Sequence, residues 1–353
     1  MDRLLLYGAY GYTGDLIARQ LADRGQKPVL AGRNAMKVHQ LGEALDCQSR
    51  SFDLTDPDRI DRGLNEVDAV LNCAGPFDDT ADPLVESCLR TGTHYLDVTG
   101  EIPVFERLAR RDKEATEAGV TLLPGVGFDV VPTDCLAAHL HDRLPDATHL
   151  TIAIAAGGSL SAGTTKTALR GIGSGGAIRE DGILRAVPAA DRTRTVDFGW
   201  GTRTVTAVPM GDVSTAYHTT GIPNVRVYVR ISKAGRIAMR VADRLGAIFQ
   251  ADPVQSLFER LVDRTVEGPT ERERRDAKVT IWGEVRNEDT HERAESWLST
   301  PGPYGLTVDA AIASAERVLD GTTDPGFNTP AAAFGPAFAL ELPGVTRTDQ
   351  KSG

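Results

Sequence analysis

Gly8, Gly11 and Gly14 recur every third residue directly after the apolar run Leu4-Leu5-Leu6-Tyr7 and directly before a stretch that sets Leu16, Ile17 and Leu21 on one helical face. A strand that ends on glycines and reopens as a helix is suited to binding a pyrophosphate. Gly8 permits a tight turn, Gly11 lets backbone N–H groups approach, and Gly14 allows close helix packing, with Tyr12 and Thr13 in the same turn. The helix N-terminus adds its partial positive charge. The spacing is G-x-x-G-x-x-G, not the G-x-G-x-x-G of many dehydrogenases, and three glycines at a turn can also have only a backbone reason. A second strand, Pro28-Val29-Leu30-Ala31-Gly32, ends on Arg33, where an NAD-selective fold places an acidic residue for the ribose 2′-OH. A guanidinium suits a 2′-phosphate by bidentate hydrogen bonding, so the expected cofactor is NADP. The alternative for Arg33 is a solvated salt bridge. Asp15, one residue into the helix, favours the helix dipole and must point away from any phosphate.

Further strands should bring polar residues to the same end of the sheet. Asp53 leaves the third strand, where it can accept from an adenine amino group or simply form a turn ahead of Asp56-Pro57. Asn72, Ala74, Gly75 and Pro76 leave the fourth strand at the expected place of the nicotinamide ribose. Residues 94–98 and 121–123 read as strands five and six, and they lead into Thr99-Gly100-Glu101 and Gly125 to Asp129. A reductase must place an electrophilic C=N, C=O or C=C carbon beside the nicotinamide and supply a proton. The Ser…Tyr-x-x-x-Lys arrangement is missing, since Thr99 stands where the lysine after Tyr95 would be. The candidate donors are Tyr95, Asp97, Glu101 and Asp129, and a carboxyl among them needs burial to raise its pKa. Asp97 and Asp129 have an alternative reading as loop caps.

From about Leu150 the βα alternation stops. A Gly-, Ser- and Thr-rich segment spans 157–176, and residues 202–208, 225–231, 279–285 and 293–298 read as strands of a second sheet. Thr164 to Leu169 can open a helix whose N–H groups meet a substrate carboxylate, or form a plain interdomain loop; Thr164, Lys166 and Arg170 are the substrate-binding candidates. Residues 233–263 follow a helical pattern, with Ile237, Val241, Leu245 and Ile248 on one face, a break near Asp252-Pro253, and Arg236, Arg240 and Arg244 as a basic stripe. That stripe is a solvated face, a subunit contact or a peripheral membrane contact. Residues 271–278 read as a charged linker or loop. The expected organisation is α/β: an N-terminal Rossmann domain with a parallel sheet (1–148), a second α+β domain for substrate or oligomerisation (149–305), C-terminal helices packing back on the first (306–342), and a disordered tail (343–353).

At 353 residues the chain has room for two domains and a substantial core. A net charge of -10 argues against nucleic acid, which needs clustered cations over one face. Cys47, Cys73, Cys88 and Cys135 form no C-x-x-C pair, and His139 and His141 lie two apart on a predicted helix, so core thiols and no metal are expected. The start carries no secretory pattern and no run of eighteen apolar residues occurs, so the expected location is cytoplasmic.

Together the blocks Gly8 to Gly14, Ala31-Gly-Arg33, Asn72 to Phe77, Gly92 to Glu101, Gly127 to Asp134, Gly163-Thr164, and Asn328-Thr-Pro-Ala331 followed by Phe334-Gly335 resemble the saccharopine dehydrogenase-like, NADP-binding oxidoreductase family, which includes trans-acting enoyl reductases. The resemblance spans nearly the whole chain. It implies that the Gly8 to Gly14 turn and Arg33 bind NADP and that the 72–77 and 95–101 loops border the nicotinamide. The expected function is NADPH-dependent hydride transfer to a small imine, carbonyl or enoyl substrate by a homodimer or other homo-oligomer. A non-catalytic NADP sensor and a lipid-associated enoyl reductase are the alternatives.

Overall fold

Strand β1 (Leu4–Tyr7) is apolar throughout because both of its faces are covered: Leu4 and Leu6 enter one core, Leu5 and Tyr7 the other. The computed structural model describes residues 3–156, 175–246 and 277–350. Two compact units emerge, Met1–Val131 with Tyr304–Phe334, and Pro132–Pro303 with Gly335–Gly353.

In the first unit, β1 is followed by α1 (Tyr12–Asp23), β2 (Val29–Gly32), α2 (Ala35–Leu45), β3 (Ser49–Ser51), α3 (Pro57–Gly63), β4 (Ala69–Asn72), α4 (Phe77–Thr91), β5 (His94–Asp97), α5 (Ile102–Ala109), α6 (Asp112–Ala118) and β6 (Thr121–Leu123). Their sheet runs 3-2-1-4-5-6, and β15 (Gly326–Phe327) adds to β6. Every pairing in it is parallel. The order reverses between β1 and β4, so a crevice opens at their carboxyl ends. Helix α10, whose range is Pro303–Leu319, buries Val308, Ala311, Ile312, Ala315 and Val318 in the core that holds Leu4 and Leu6. The expected return of a C-terminal helix to the first domain is thus observed. Between β5 and β6 the chain forms two helices, α5 and α6.

The second unit begins with α7 (Val131–Arg143) and continues through β7 (His149–Ala155), the hairpin β8 (Gly176–Glu180) and β9 (Ile183–Val187), β10 (Thr193–Asp197), β11 (Thr202–Ala207), α8 (Asp212–Thr220), β12 (Asn224–Val229), α9 (Lys233–Arg244), β13 (Lys278–Arg286) and β14 (Arg293–Pro301). After α10, the short helices α11 (Pro330–Phe334) and α12 (Phe338–Glu341) precede β16 (Thr346–Asp349). The sheet is mixed, in the order β10-β11-β12-β7-β13-β14-β16, with β7 and β12 parallel. Helix α7 packs on it because Gly283 lacks a side chain: a Cβ there would stand 2.6 Å from Leu140 Cδ1. The expected boundary at 148 therefore moves back to the start of α7. On the opposite face Phe198, Tyr228 and Trp282 form a smaller core, with Trp297 packed against it.

The tail is not disordered through its length. β16 pairs with β14 across Ser296 to Ser299, and Asp349 accepts from Ser296 Oγ at 2.7 Å. Within the C-terminal stretch expected to be helical, 306–342, the chain breaks at Gly335, which has a φ of 83°. α11 stays with the first unit and α12 joins the second.

Candidate functional site

The glycine turn is fixed by distances that no other residue tolerates. Gly8 has a φ of 80°, and a Cβ on it would stand 2.8 Å from Ala74 N. A Cβ on Gly14 would stand 2.3 Å from Gly8 O, so α1 rests directly on the turn. Gly8 N and Ala9 N both donate to Ala31 O, tying the turn to β2. Gly11 caps α1 in an extended conformation and no side chain bonds that helix end. The first-turn backbone N–H groups, with Tyr12 and Thr13 half-buried around them, suit an anion. Asp15 is taken up by Arg19, whose Nε donates to it at 2.8 Å, so it does not oppose that anion by facing it alone.

Arg33 lies exposed at the end of β2, and among the described residues no carboxylate pairs with it. The salt-bridge alternative therefore has no partner there. Beside it, Asn34 caps α2 by accepting from Lys37 N at 3.1 Å, and Asn34 N donates to Tyr10 OH at 3.2 Å. Lys37 Nζ stands 5.7 Å from the Tyr10 ring centroid, and the ring lies beneath Gly32, where a Cβ would come within 2.7 Å of Cε1. Tyr10 and Lys37 were not candidates in the sequence. Tyr10 stands inside the glycine motif at a position without a required residue type, and Lys37 lies in the first turn of α2, where only the fold brings its ammonium to the Tyr10 ring.

Asn72, Tyr95 and Asp97 are brought together, but inward. All are fully buried. Asn72 Nδ2 donates to Tyr95 OH at 3.2 Å and to Thr80 Oγ1 at 3.0 Å, and its Oδ1 accepts from Ala74 N. Tyr95 OH donates to Asp97 Oδ2 at 2.8 Å, while Asp97 Oδ1 accepts from Thr99 N and Gly125 N, both at 2.9 Å. Each hydrogen-bonding group is thereby spent on joining the loops after β4, β5 and β6. Burial pushes the Asp97 carboxyl up to about 6 against the lowering effect of those donors. Burial, then the neighbouring Asp97, raises the Tyr95 hydroxyl well above its ordinary value.

Glu101 is also engaged. Its Oε1 and Oε2 accept from Phe77 N at 3.1 Å and Asp78 N at 2.8 Å, so it caps α4 from 24 residues downstream. Asp53 folds onto its own turn, accepting from Thr55 N and Oγ1, and those bonds lower its carboxyl. Gly75 is exposed on the rim, flanked by half-buried Ala74 and Pro76.

Asp129 differs from the other three donor candidates. Its carboxylate is open to solvent and has no hydrogen-bond partner among the described residues. It rests against Gly100, where a Cβ would come within 3.3 Å of its Oδ2. Protein crowded around it raises its carboxyl by desolvation, although the side chain itself reaches water. Phe128 N donates to Thr307 Oγ1 at 3.0 Å, so α10 steadies this loop. Thr164, Lys166 and Arg170 lie outside the described residues, as do Ile248, Asp252, Pro253 and residues 271–276 of the charged stretch. Among the described residues no group of His, Cys, Asp and Glu has the arrangement to hold a metal.

Comparison with known proteins agrees with this geometry. Residues 4–123 match the saccharopine dehydrogenase NADP binding domain. The mouse (Mus musculus) saccharopine dehydrogenase-like oxidoreductase is 28% identical over 210 residues, covering 52% of this chain and 48% of the relative. The trans-acting enoyl reductase of Mycobacterium leprae is 30% identical over 149 residues, 40% of this chain and 36% of the relative. Matched stretches thus span at most about half the length of these curated relatives. Among solved structures, saccharopine dehydrogenase (L-Glu forming) from Saccharomyces cerevisiae, 13% identical, shares the fold with a TM-score of 0.68 over 99% of this chain and 100% of that one. Residues 4–123 are therefore similar to the saccharopine dehydrogenase NADP binding domain, in a chain whose fold is shared with saccharopine dehydrogenase.

Proposed function

We propose that the protein is an NADPH-dependent reductase acting on a small imine, carbonyl or enoyl compound. The observation that carries this reading is the solvent-open, unpaired Arg33 on the same sheet end as an α1 terminus without a side-chain cap. Backbone N–H groups of Tyr12, Thr13 and Gly14 would hold the pyrophosphate, the turn at Gly8 brings them close, with Gly11 N spent on Gly8 O, and Arg33 would hold the 2′-phosphate with a bidentate fork. Ala74, Gly75 and Pro76 border the nicotinamide ribose, and Asn72 acts beneath them by fixing Ala74 N. The bound dinucleotide supplies the hydride. Asp129 is the proton-bearing group of this reading: it alone among the four candidate donors combines solvent access with a raised carboxyl and no structural hydrogen bond in the described chain. Asp97, Tyr95 and Glu101 position the loops around it.

Engagement of those three groups in structural bonds also favours a second reading, an NADP sensor that does not turn over. The relative named as an enoyl reductase keeps the C=C substrate in view, and a homodimer and a cytoplasmic location remain part of the proposal. The test is a screen for NADPH oxidation across keto-acid plus amine, aldehyde and enoyl substrates, with mass by light scattering. Turnover that falls by about two to four orders of magnitude in Asp129→Asn, with NADPH affinity retained, supports the reductase. Tight NADPH binding with no turnover on any class overturns it in favour of the sensor.

A further inference from the structure

Helix α9 carries its amphipathic pattern facing outward. Ile237, Val241 and Leu245, spaced i, i+4 and i+8 from the first, are 54%, 50% and 44% exposed. No residue of the helix is buried. The polar side is the one that meets the body of the second unit: Asp243 Oδ2 accepts from Ala189 N at 3.1 Å, and Arg240 Nη2 donates to Ala190 O at 2.9 Å. Gly235, Arg236, Met239 and Ala242 are half-buried with Asp243 on that inner side. The apolar face that the sequence sets along Ile237, Val241 and Leu245 is therefore left facing water. Exposing three branched side chains in a row costs stability unless something else covers them.

The exposed cations identify what would. Lys233 and Arg244 are exposed, and on a helix of 100° per residue they fall within about 40° of Ile237, with Arg240 just beyond them. The chain is acidic overall, with a net charge of -10, so these cations are a local exception. An apolar ridge with cations along one edge matches a bilayer surface, where the side chains enter the acyl boundary and the cations meet lipid phosphates and carboxylates. Among the described residues no helix is long and apolar enough to cross a membrane, so α9 has the character of a surface element.

We propose that α9 docks the protein on an anionic lipid bilayer, with Ile237, Val241 and Leu245 inserted and Lys233 and Arg244 at the headgroups. The inference stands independently of the reductase reading. It is tested by floating the full chain with phosphatidylcholine vesicles, with and without phosphatidylserine, at low and high salt. The protein should float with the phosphatidylserine vesicles at low salt and not with phosphatidylcholine alone. Lys233→Gln with Arg244→Gln should lower partitioning roughly twenty-five-fold, at about fivefold per cation. Val241→Glu should abolish it, with melting and NADPH titration unchanged because the residue is exposed. Absence of flotation with phosphatidylserine, or equal flotation by the variants, overturns the proposal. So does a change from dimer to monomer in light scattering of Val241→Glu, which would make the ridge a subunit contact.

Discussion

Replacing Asp97 separates a structural strut from a catalytic acid. In Asp97→Ala, Thr99 N, Gly125 N and Tyr95 OH lose their acceptor inside the sheet end. At about 1–3 kcal/mol for each buried donor left unsatisfied, with partial relaxation, the loss is about 4 kcal/mol. Asp97→Asn keeps an oxygen for the two backbone N–H groups and loses the acceptor for Tyr95, a cost of about 1–2 kcal/mol. The pH dependence is more informative. Burial holds the folded carboxyl at about 6, above the ordinary aspartate value, so the fold favours the protonated form. The stability this contributes is whole below about pH 4 and is lost as pH rises through about 6, about 3 kcal/mol in all. Roughly half of that loss falls between about pH 5 and 7.5, so Asp97→Asn should gain about 1.4 kcal/mol on the native protein over that interval. The assay is urea unfolding followed by far-ultraviolet circular dichroism, since Trp200, Trp282 and Trp297 all report on the second unit. A difference between the two proteins that stays constant from pH 5 to 7.5 would falsify the buried, proton-retaining strut, and a loss below about 1 kcal/mol in Asp97→Ala would remove the strut itself.

Other substitutions follow from the same geometry. Gly14→Ala forces a Cβ to within 2.3 Å of Gly8 O, so α1 must shift; a stability loss of about 2 kcal/mol or more and weakened NADPH binding are expected in melting and titration. Glu101→Ala removes the cap from α4 and should cost about 1 kcal/mol, seen as a melting shift of a few degrees, while substrate turnover persists. Complete loss of turnover in a folded Glu101→Gln protein would return that residue to the catalytic list.

The local parts of this design were legible in the sequence. The strand, the glycine turn and the opening of α1 follow from contiguous residues, and the exposed arginine at the end of β2 is read from a single position. Strands 121–123 and 202–207 were also readable because apolar and β-branched runs announce them. What escaped depends on distant contacts. Nothing near Glu101 says that it caps a helix beginning at Phe77, and nothing near Asp97 says that Gly125 N will reach it. Those partners turn apparent crevice carboxylates into loop fasteners. Residues 346–349 lack an apolar run and become a strand only because β14 offers an edge. In α9, the hydrophobic period gave the helix but not the direction of its face, because loop atoms of Ala189 and Ala190 claim the polar side.

The most direct test of the central claim is titration of the native protein and Arg33→Ala with NADPH and with NADH. Loss of a charge-assisted bidentate contact of about 1.5–3 kcal/mol should weaken NADPH binding by about ten- to a hundredfold and leave NADH binding nearly unchanged. Equal losses for both dinucleotides, or no preference for NADPH in the native protein, would contradict the assignment of Arg33 to the 2′-phosphate and with it the proposed reductase site.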